Sequence, residues 1–454
     1  MSSVLFLNQP AVGHLNTLLG IARQMKADGH RVHFLVPGAR VRKTNIKILD
    51  IGLQIPDRIK AYGLGCDVIP LSFSALWNAV RLPFKSGYDE IIHALNMFSR
   101  GIEHYTHHIL KFIESYRPTI LVTDFAFPAA SLAADMADIP YVVIYHSGLP
   151  FRGDSIPPFG SGQPISTDYL NLDNGRIRKE NRVLKKLDQR INRARRNFGL
   201  KPIAEDMLRR PYSPWLNLVP SATIIEAPRN NMSRNTLFIG PCINKQTMAG
   251  GDFPFETLRD DKYKIYVSLG TVFNNKPEVF QKIMRALDTP KYQVLISAGG
   301  AYQNLQRGGT AENISVFRSV PQMALLPKVD LFISHGGNNS INEALASGKP
   351  IIVMPVGGEQ GDNASRVIYL DVGKRVDMSG FTEKQLLSEV ESIRTNPKFQ
   401  ENALAIKMGL KGTQSVVTAS RCIDWVAQKK KPLQNRKGAP LTITSDTLNL
   451  LLGD

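Results

Sequence analysis

The sequence predicts an α/β protein made of two doubly wound domains that face a cleft. Apolar runs alternate with helical patterns from residue 4 to residue 145, and a fresh alternating series begins at residue 264. A chain of 454 residues is too long for one core, so two domains of roughly 200 residues each are expected. The stretch between the two series, residues 241–262, lacks periodicity and is predicted to be a linker.

The first domain, predicted over residues 1–240, begins with a strand, a helix and a second strand. The helical segment from Leu15 to Asp28 places its leucines on one face, and Gly29 ends it. This βαβ start favours a right-handed crossover and a parallel, Rossmann-like sheet. Further strands are predicted at residues 68–71, 119–124, 141–145, 223–227 and 237–240.

The second domain, predicted over residues 263–430, repeats the same alternation. Its apolar strand patterns cover residues 264–270, 292–299, 314–320, 329–334 and 350–356. Three helical patterns then follow, at residues 382–394, 398–408 and 416–428. Residues 431–454 are predicted to be a tail with one short apolar patch.

The composition restricts the class of protein. No segment approaches the ~20 apolar residues that span a bilayer. The start MSSVLFLNQPAVGHL has no basic n-region, so a signal peptide is not expected. Three widely spaced cysteines without metal-ligand spacing fit a reducing compartment. These observations predict a cytoplasmic protein.

The net charge of +17 is concentrated in residues 176–210, where thirteen Lys or Arg accompany four acids. A helix is predicted there, roughly over residues 168–198. The charge fits either a solvated helix face or a peripheral contact with an anionic membrane. No nucleic-acid-binding pattern accompanies it, so nucleic acid is not an expected partner.

The stretch from His335 to Arg366 contains two strand ends, two glycine-containing turns and two helix N-termini. In an open α/β sheet, ligands bind at the carboxyl ends of strands, and helix N-termini favour anions. Glycines let a phosphate approach the backbone closely. The stretch therefore predicts a nucleotide-diphosphate site.

Three motifs, SLGT at residues 268–271, SVPQ at 319–322 and HGGNNSINEALASGKPIIVMPVGGEQGDNA from His335, occur in this order. Together with GHLNTLLGIA near the N-terminus, they resemble the inverting, nucleotide-sugar-dependent glycosyltransferases of the plant, macrolide and antibiotic group. The resemblance covers the whole chain. It implies the GT-B fold, a nucleotide-sugar donor (a UDP-sugar is expected), a small-molecule acceptor, and neither a cofactor nor a metal.

The resemblance also implies which residues bind the donor. His335, Gly337, Asn339 and Ser340 are expected at the diphosphate, Glu343 at the ribose, and Glu359 with Gln360 at the sugar hydroxyls. The remaining expected donor contacts are Ser268, Gly270, Thr271, Val320 and Gln322. Two departures leave the sugar and the base open, because the family commonly has Asp where Glu359 stands and often Trp where Ser319 stands.

The catalytic pair implied by the resemblance is His14 with Asp124. His14 follows the first strand, and Asp124 ends the strand at residues 119–124. His14 would remove the proton of the acceptor hydroxyl, a role that suits imidazole because its pKa lies near neutrality. Asp124 would orient His14 and stabilise the imidazolium.

The acceptor is expected to be small and largely apolar. This expectation rests on apolar residues in the irregular part of the first domain, among them Phe73, Trp77 and Phe84. His146, in the long loop after the strand at 141–145, is a further candidate for an acceptor contact.

Three alternatives remain open. A membrane-associated glycolipid or carotenoid glycosyltransferase would share the chemistry and differ in location. A nucleotide-sugar epimerase would share the donor site but need acidic bases around the sugar. A non-catalytic binding protein would usually have lost the histidine or the donor motif, and this chain keeps both.

Overall fold

The computed structural model assigns the chain to two compact units. It describes residues 1–9, 12–38, 55–72, 99–146, 148–151, 153, 155–166, 174–203, 209–229, 232–243, 253–270, 276–435, 438 and 440–453. The first unit comprises Met1–Phe159, Ser166–Cys242 and Gly412–Asp454. The second unit comprises Gly160–Ile165 and Ile243–Lys411.

A parallel sheet forms the centre of the first unit. Its seven strands among the described residues are β1 (Ser3–Leu7), β2 (Arg31–Gly38), β3 (Gly65–Pro70), β4 (Ile120–Asp124), β5 (Tyr141–Ile144), β6 (Leu216–Val219) and β7 (Thr236–Phe238). Their order is β3-β2-β1-β4-β5-β6-β7, so the direction of winding reverses between β1 and β4. Such a reversal opens a crevice at the carboxyl ends of the strands.

Helices cover both faces of this sheet. In chain order they begin with α1 (Val12–Ala27), α2 (Ile55–Ala61), α3 (Ile102–Tyr116), α4 (Ala129–Met136) and α5 (Asn174–Asn197). The apolar side chains of α1 pack with one face of the sheet in one core, whereas those of α3 and α4 pack with the other face in a second. Strands buried on both faces explain the continuous apolar runs in the sequence.

The second unit repeats the plan with a parallel sheet of six strands among the described residues. These are β8 (Tyr263–Ser268), β9 (Tyr292–Ser297), β10 (Ile314–Phe317), β11 (Leu331–Ser334), β12 (Ile351–Val353) and β13 (Gly373–Arg375), in the order β10-β9-β8-β11-β12-β13. Its helices are α6 (Pro277–Leu287), α7 (Tyr302–Arg307), α8 (Gln322–Leu325), α9 (Asn338–Ser347), α10 (Gln360–Tyr369), α11 (Glu383–Thr395) and α12 (Lys398–Gly409). The winding reverses between β8 and β11.

The last two helices, α13 (Ser415–Lys429) and α14 (Ser445–Leu452), belong to the first unit. Cys422, Ile423 and Val426 of α13 are buried in the same core as α1. This differs from the predicted second domain, which ran to residue 430, and from the predicted tail. An amphipathic pattern shows that a helix has a buried face, but it does not show which sheet that face covers.

The sequence pattern misplaced one strand and missed another. Residues 223–227, predicted as a strand, form a turn in which Ile225 N and Glu226 N donate to the carbonyl of Ala222. The strand beside β5 is instead β6, whose four residues are all buried. The polar edge strand β13, with the sequence GKR, carries no apolar signal. Among the described residues, no helix is long and apolar enough to cross a membrane.

The assignment of α13 to the first unit predicts a specific loss of stability. Ile423 is fully buried, so Ile423→Ala is expected to lower the free energy of unfolding by about 2–5 kcal/mol, because it leaves a cavity. The control is Leu450→Ala in the same unit, since Leu450 is 77% exposed and its change should stay within about 0.5 kcal/mol. Urea unfolding followed by circular dichroism measures both. Equal shifts in the two variants would contradict the packing of α13.

Candidate functional site

The first group of candidate residues lies at the carboxyl edge of the first sheet. His14 is the third residue of α1, which follows β1, and Asp124 is the last residue of β4, the neighbour of β1. The winding reverses between these two strands. The structure therefore brings together the two residues that the sequence named as a catalytic pair.

His14 and Asp124 form a direct hydrogen bond. Nδ1 of His14 lies 2.6 Å from Oδ2 of Asp124, and the histidine side chain is 21% exposed while the carboxylate is 0% exposed. Burial acts to raise the pKa of Asp124, but the adjacent His14 and His146 outweigh it and hold this pKa well below its usual range. The ionised carboxylate accepts the Nδ1 proton, so the lone pair of His14 is on Nε2.

His146 lies beside this pair, two residues after the end of β5. Its Nε2 is 3.2 Å from Oδ2 of Asp124, and its ring centroid is 4.0 Å from that of His14. Burial lowers the pKa of His146 to about 4. The side chain is 1% exposed, so its position differs from the acceptor-lining role expected from the sequence.

Gln9, which the sequence analysis did not single out, is a further neighbour of His14. Its side-chain amide also contacts Nδ1 of His14. Because Nδ1 already carries the proton donated to Asp124, this contact is satisfied when the amide oxygen of Gln9 faces Nδ1. Its position two residues after β1, at the sheet edge, was the signal that could have identified it.

The second group lies at the carboxyl edge of the second sheet, where His335 follows β11 directly. The turn after it, Gly336 and Gly337, leads into α9, whose first residues are Asn338, Asn339 and Ser340. At a helix N-terminus such as this one, the first amide N–H groups point out of the helix. With the positive end of the helix dipole, they suit an anion such as a phosphate.

Two glycines keep space around the His335 ring. A Cβ atom on Gly270 would lie 2.6 Å from Cε1 and Nε2 of His335, and one on Gly337 would lie 2.7 Å from Nε2. Gly270 also has a φ of 76°, a left-handed conformation that disfavours other residues. Burial lowers the pKa of His335 to about 4, so the ring is neutral at neutral pH.

Side chains from α10 hold the glycine turn in place. Asn363 Nδ2 donates to the carbonyl of Gly336 at 2.7 Å. The buried Arg366 donates through Nη2 to Oδ1 of Asn338 at 2.7 Å and of Asn363 at 3.1 Å. Arg366 had no predicted role, although it closes the stretch that begins at His335.

Glu343 and Gln322 also meet in the structure. Gln322, the first residue of α8, donates through Nε2 to Oε2 of Glu343 at 2.5 Å and accepts from the hydroxyl of Tyr266 at 3.1 Å. Burial raises the pKa of Glu343 to about 7, against the opposing hydrogen bond from Gln322. Gln322, one of the expected donor contacts, thus bridges Tyr266 and Glu343 through its side chain.

Glu359 and Gln360 lie where β12 passes into α10. Glu359 precedes the helix and is partly exposed, whereas Gln360 is buried. Oε1 of Gln360 accepts from the amides of Val356 and Gly357 at 2.8 and 3.3 Å. The amide oxygen thus closes its own turn, and the expected role of Gln360 at the sugar hydroxyls stays a prediction.

Residues Gly160–Ile165, from the loop that the sequence singled out, pack within the second unit. Asp362 accepts hydrogen bonds from the amides of Gly160 and Gly162, the latter at 2.8 Å. A Cβ atom on Gly361 would lie 2.8 Å from Cα of Gly162, so two glycines permit this approach. The segment therefore lies against the first turn of α10, next to Gln360.

Four other candidates, Thr271, Phe73, Trp77 and Phe84, lie outside the described residues. Of the remaining donor candidates, Ser268 ends β8, and the carboxyl end of that strand is next to that of β11, which leads into His335. The two groups of candidates therefore each occupy one sheet edge in their own unit.

His14, Asp124 and His146 also offer three ligand atoms within 4.8 Å of one another, as a metal site would. Bonds of about 2.0–2.1 Å in a tetrahedral zinc site place ligand atoms roughly 3.3 Å apart. The 2.6 Å separation of His14 Nδ1 and Asp124 Oδ2 is shorter and suits a shared proton. This geometry favours a hydrogen-bonded pair of His14 and Asp124 over a metal centre.

The raised pKa of Glu343 predicts how stability depends on pH. Between pH 4.5 and about 7 the folded state keeps a proton that the unfolded state has released, so stability should fall as pH rises. Glu343→Gln removes this titrating group. The difference between the two free energies of unfolding, wild type minus variant, should therefore decrease by on the order of 2–3 kcal/mol from pH 4.5 to about 7. Denaturant titrations from pH 4 to 8 measure it. A constant difference would contradict the assignment.

Comparison with known proteins shows which family part of this chain matches. A model of the family described as UDP-glucoronosyl and UDP-glucosyl transferase matches residues 215–431. The matched range includes His335, Glu343 and the Glu359-Gln360 pair.

Relatives and solved structures match most of the chain. It is 26% identical to 4'-demethylrebeccamycin synthase of Lentzea aerocolonigenes, over 93% of this chain and 98% of that protein. It is 23% identical to zeaxanthin glucosyltransferase of Pantoea ananas, over 96% and 99%. The fold resembles that of CalG4, the calicheamicin glycosyltransferase, with a TM-score of 0.71 at 17% identity over 95% and 100% of the two chains. Residues 215–431 therefore match the family of UDP-glucoronosyl and UDP-glucosyl transferases, and the whole chain has the GT-B fold of the glycosyltransferases that it resembles.

Proposed function

We propose that this enzyme transfers a sugar, glucose or a relative, from a nucleotide diphosphate to a hydroxyl of a small, largely apolar acceptor with inversion. The observation that carries the proposal is the hydrogen bond between His14 and the fully buried Asp124. A histidine oriented through Nδ1 by a carboxylate is the arrangement of a general base acting through Nε2.

In the proposed step, Nε2 of His14 takes the proton of the acceptor hydroxyl as its oxygen attacks the anomeric carbon. The bond from that carbon to the diphosphate oxygen breaks at the opposite face, and the electron pair leaves with the nucleotide diphosphate. One displacement of this kind inverts the anomeric centre. Asp124 stabilises the imidazolium that forms, because it is ionised and lies 2.6 Å from Nδ1.

The second unit supports the donor part of the proposal. The amides at the start of α9 and the turn at His335 suit the diphosphate, and Glu343 in its ionised form accepts hydrogen bonds from ribose hydroxyls. Because Oε1 of Gln360 is bonded within its turn, Glu359 supplies the acceptor oxygens for the sugar hydroxyls. These interactions need no metal for binding the donor.

The first test is the substitution His14→Ala. Turnover is expected to fall by roughly 10²–10⁴-fold, because the hydroxyl loses its base, while donor binding persists. Turnover is measured as product mass over time, and binding is measured by thermal shift with UDP-glucose and TDP-glucose.

The matched control is His107→Ala, which removes an exposed histidine on α3 that packs against Phe198. It should leave turnover within a few-fold of wild type. Undiminished turnover in His14→Ala would remove His14 from the mechanism. A loss of donor binding in that variant would instead place His14 at the donor.

A second candidate, transfer to a membrane-held apolar acceptor, is favoured by the charge of α5. Its apolar residues Leu184, Leu187 and Ile191 are buried, and the opposite face exposes Arg178, Arg182, Lys185, Lys186, Arg193 and Arg196. Among the side chains of this helix that the structure describes, no acid is exposed. The relative from Pantoea ananas is named for an acceptor, zeaxanthin, that fits this candidate.

The membrane candidate predicts salt-sensitive binding to vesicles that contain anionic lipid. Lys185→Gln with Lys186→Gln should weaken that binding by about 30-fold, since each basic residue near the surface contributes about 1 kcal/mol. Co-sedimentation measures it, with Lys384→Gln and Lys411→Gln as a control that removes the same charge from exposed sites elsewhere. Absent binding, or an equal effect of the control pair, would leave α5 as a solvated face.

A further inference from the structure

We propose that His146 is a positioning residue that holds the Asp124 carboxylate and the plane of the His14 ring through a hydrogen bond donated from Nε2. The inference rests on the proposed function of His14 and adds a third member to the pair. His146 does not touch the reacting atoms in this proposal, because it acts through Asp124 and His14.

The contacts of Asp124 show why the third member matters. Oδ1 accepts from the amide of Ala126 at 2.8 Å, and Oδ2 faces both Nδ1 of His14 at 2.6 Å and Nε2 of His146 at 3.2 Å. The carboxylate is fully buried, so the hydrogen bonds that water would supply must come from these groups. Without His146, Oδ2 would keep one of its two imidazole partners.

The protonation of His146 follows from its surroundings. Burial and the neighbouring His14 lower the pKa of His146 to about 4, and Asp124 only partly opposes them, so the ring is neutral at neutral pH. Tyr145 stacks on Phe125, and Tyr212 packs against Tyr145. Burial raises the pKa values of both tyrosines well above the usual range, so neither carries a charge. A neutral imidazole facing a carboxylate must place its proton on the facing nitrogen, here Nε2.

The same geometry fixes His14. The two imidazole rings lie 4.0 Å apart and tilted by 51°, and Phe125 contacts both, with centroids 5.7 Å from His146 and 6.3 Å from His14. When His14 accepts the proton of the acceptor, repulsion between like charges keeps His146 neutral. The proton therefore stays on His14, and the carboxylate stays ionised.

The test compares His146→Leu, which has no donor, with His146→Gln, whose Nε2 can reach the same oxygen. His146→Leu should lower kcat by about 10²-fold through misplacement of His14, with the KM for the donor unchanged. The acid limb of the pH profile of kcat/KM should move to higher pH, because Oδ2 of Asp124 then stabilises the His14 imidazolium without competition from His146. His146→Gln should recover most of the rate and the wild-type limb.

Spectroscopy gives a readout that does not depend on activity. With ¹⁵N-labelled histidine, the His146 signal should show a proton on Nε2 at neutral pH, and a proton on Nδ1 would overturn the proposal. Wild-type rate and pH profile in His146→Leu would also overturn it, as would equal losses in both variants with an unchanged profile. If His14→Ala keeps its turnover, the proposed function fails, while the ¹⁵N result still decides the contact of His146.

Discussion

A parallel sheet delivers the carboxyl ends of all its strands to one edge, and this constraint organises the protein. Right-handed crossovers place helices on both faces of the sheet. The chain therefore turns at the edge formed by the carboxyl ends of the strands, where side chains are not needed to fill the core. In each unit the candidate residues follow a strand end next to the reversal of winding, Asp124 beside β1 and His335 beside β8. The same arrangement thus places one group of candidate residues in each unit.

The carboxyl edges of the two sheets differ in the charge of the groups that they place there. The first buries an ionised carboxylate and surrounds it with donors, so a full charge is kept ready beside His14. At the second edge, His335 is uncharged at neutral pH, and the backbone amides and the helix dipole at the start of α9 suit an anion. Such dipoles are fixed before the substrate arrives, so little reorganisation accompanies binding.

Much of the fold was predictable, as was the proximity of His14 to Asp124, and the failures have physical causes. Continuous apolar runs indicated β1, β4 and β11, and glycine-containing turns indicated the candidate donor site that follows β11. The partnership of His146 with Asp124 was not predictable, because it depends on the register of β4 against β5, which places Asp124 opposite Ile144. Nor could local pattern show that Gln360 closes its own turn, or that α13 covers the first sheet.

The placement of α13 has a consequence for synthesis on the ribosome. The face of the first sheet that carries α1 is completed by Ala419, Cys422, Ile423 and Val426, which emerge only after residues 243–411 of the second unit. At about 5–20 residues per second, those 169 residues take roughly 10–30 s to translate. During that interval the second unit can fold while the older first unit still exposes an apolar groove. The core of the first unit is therefore completed only after residues 243–411 of the second unit have been synthesised.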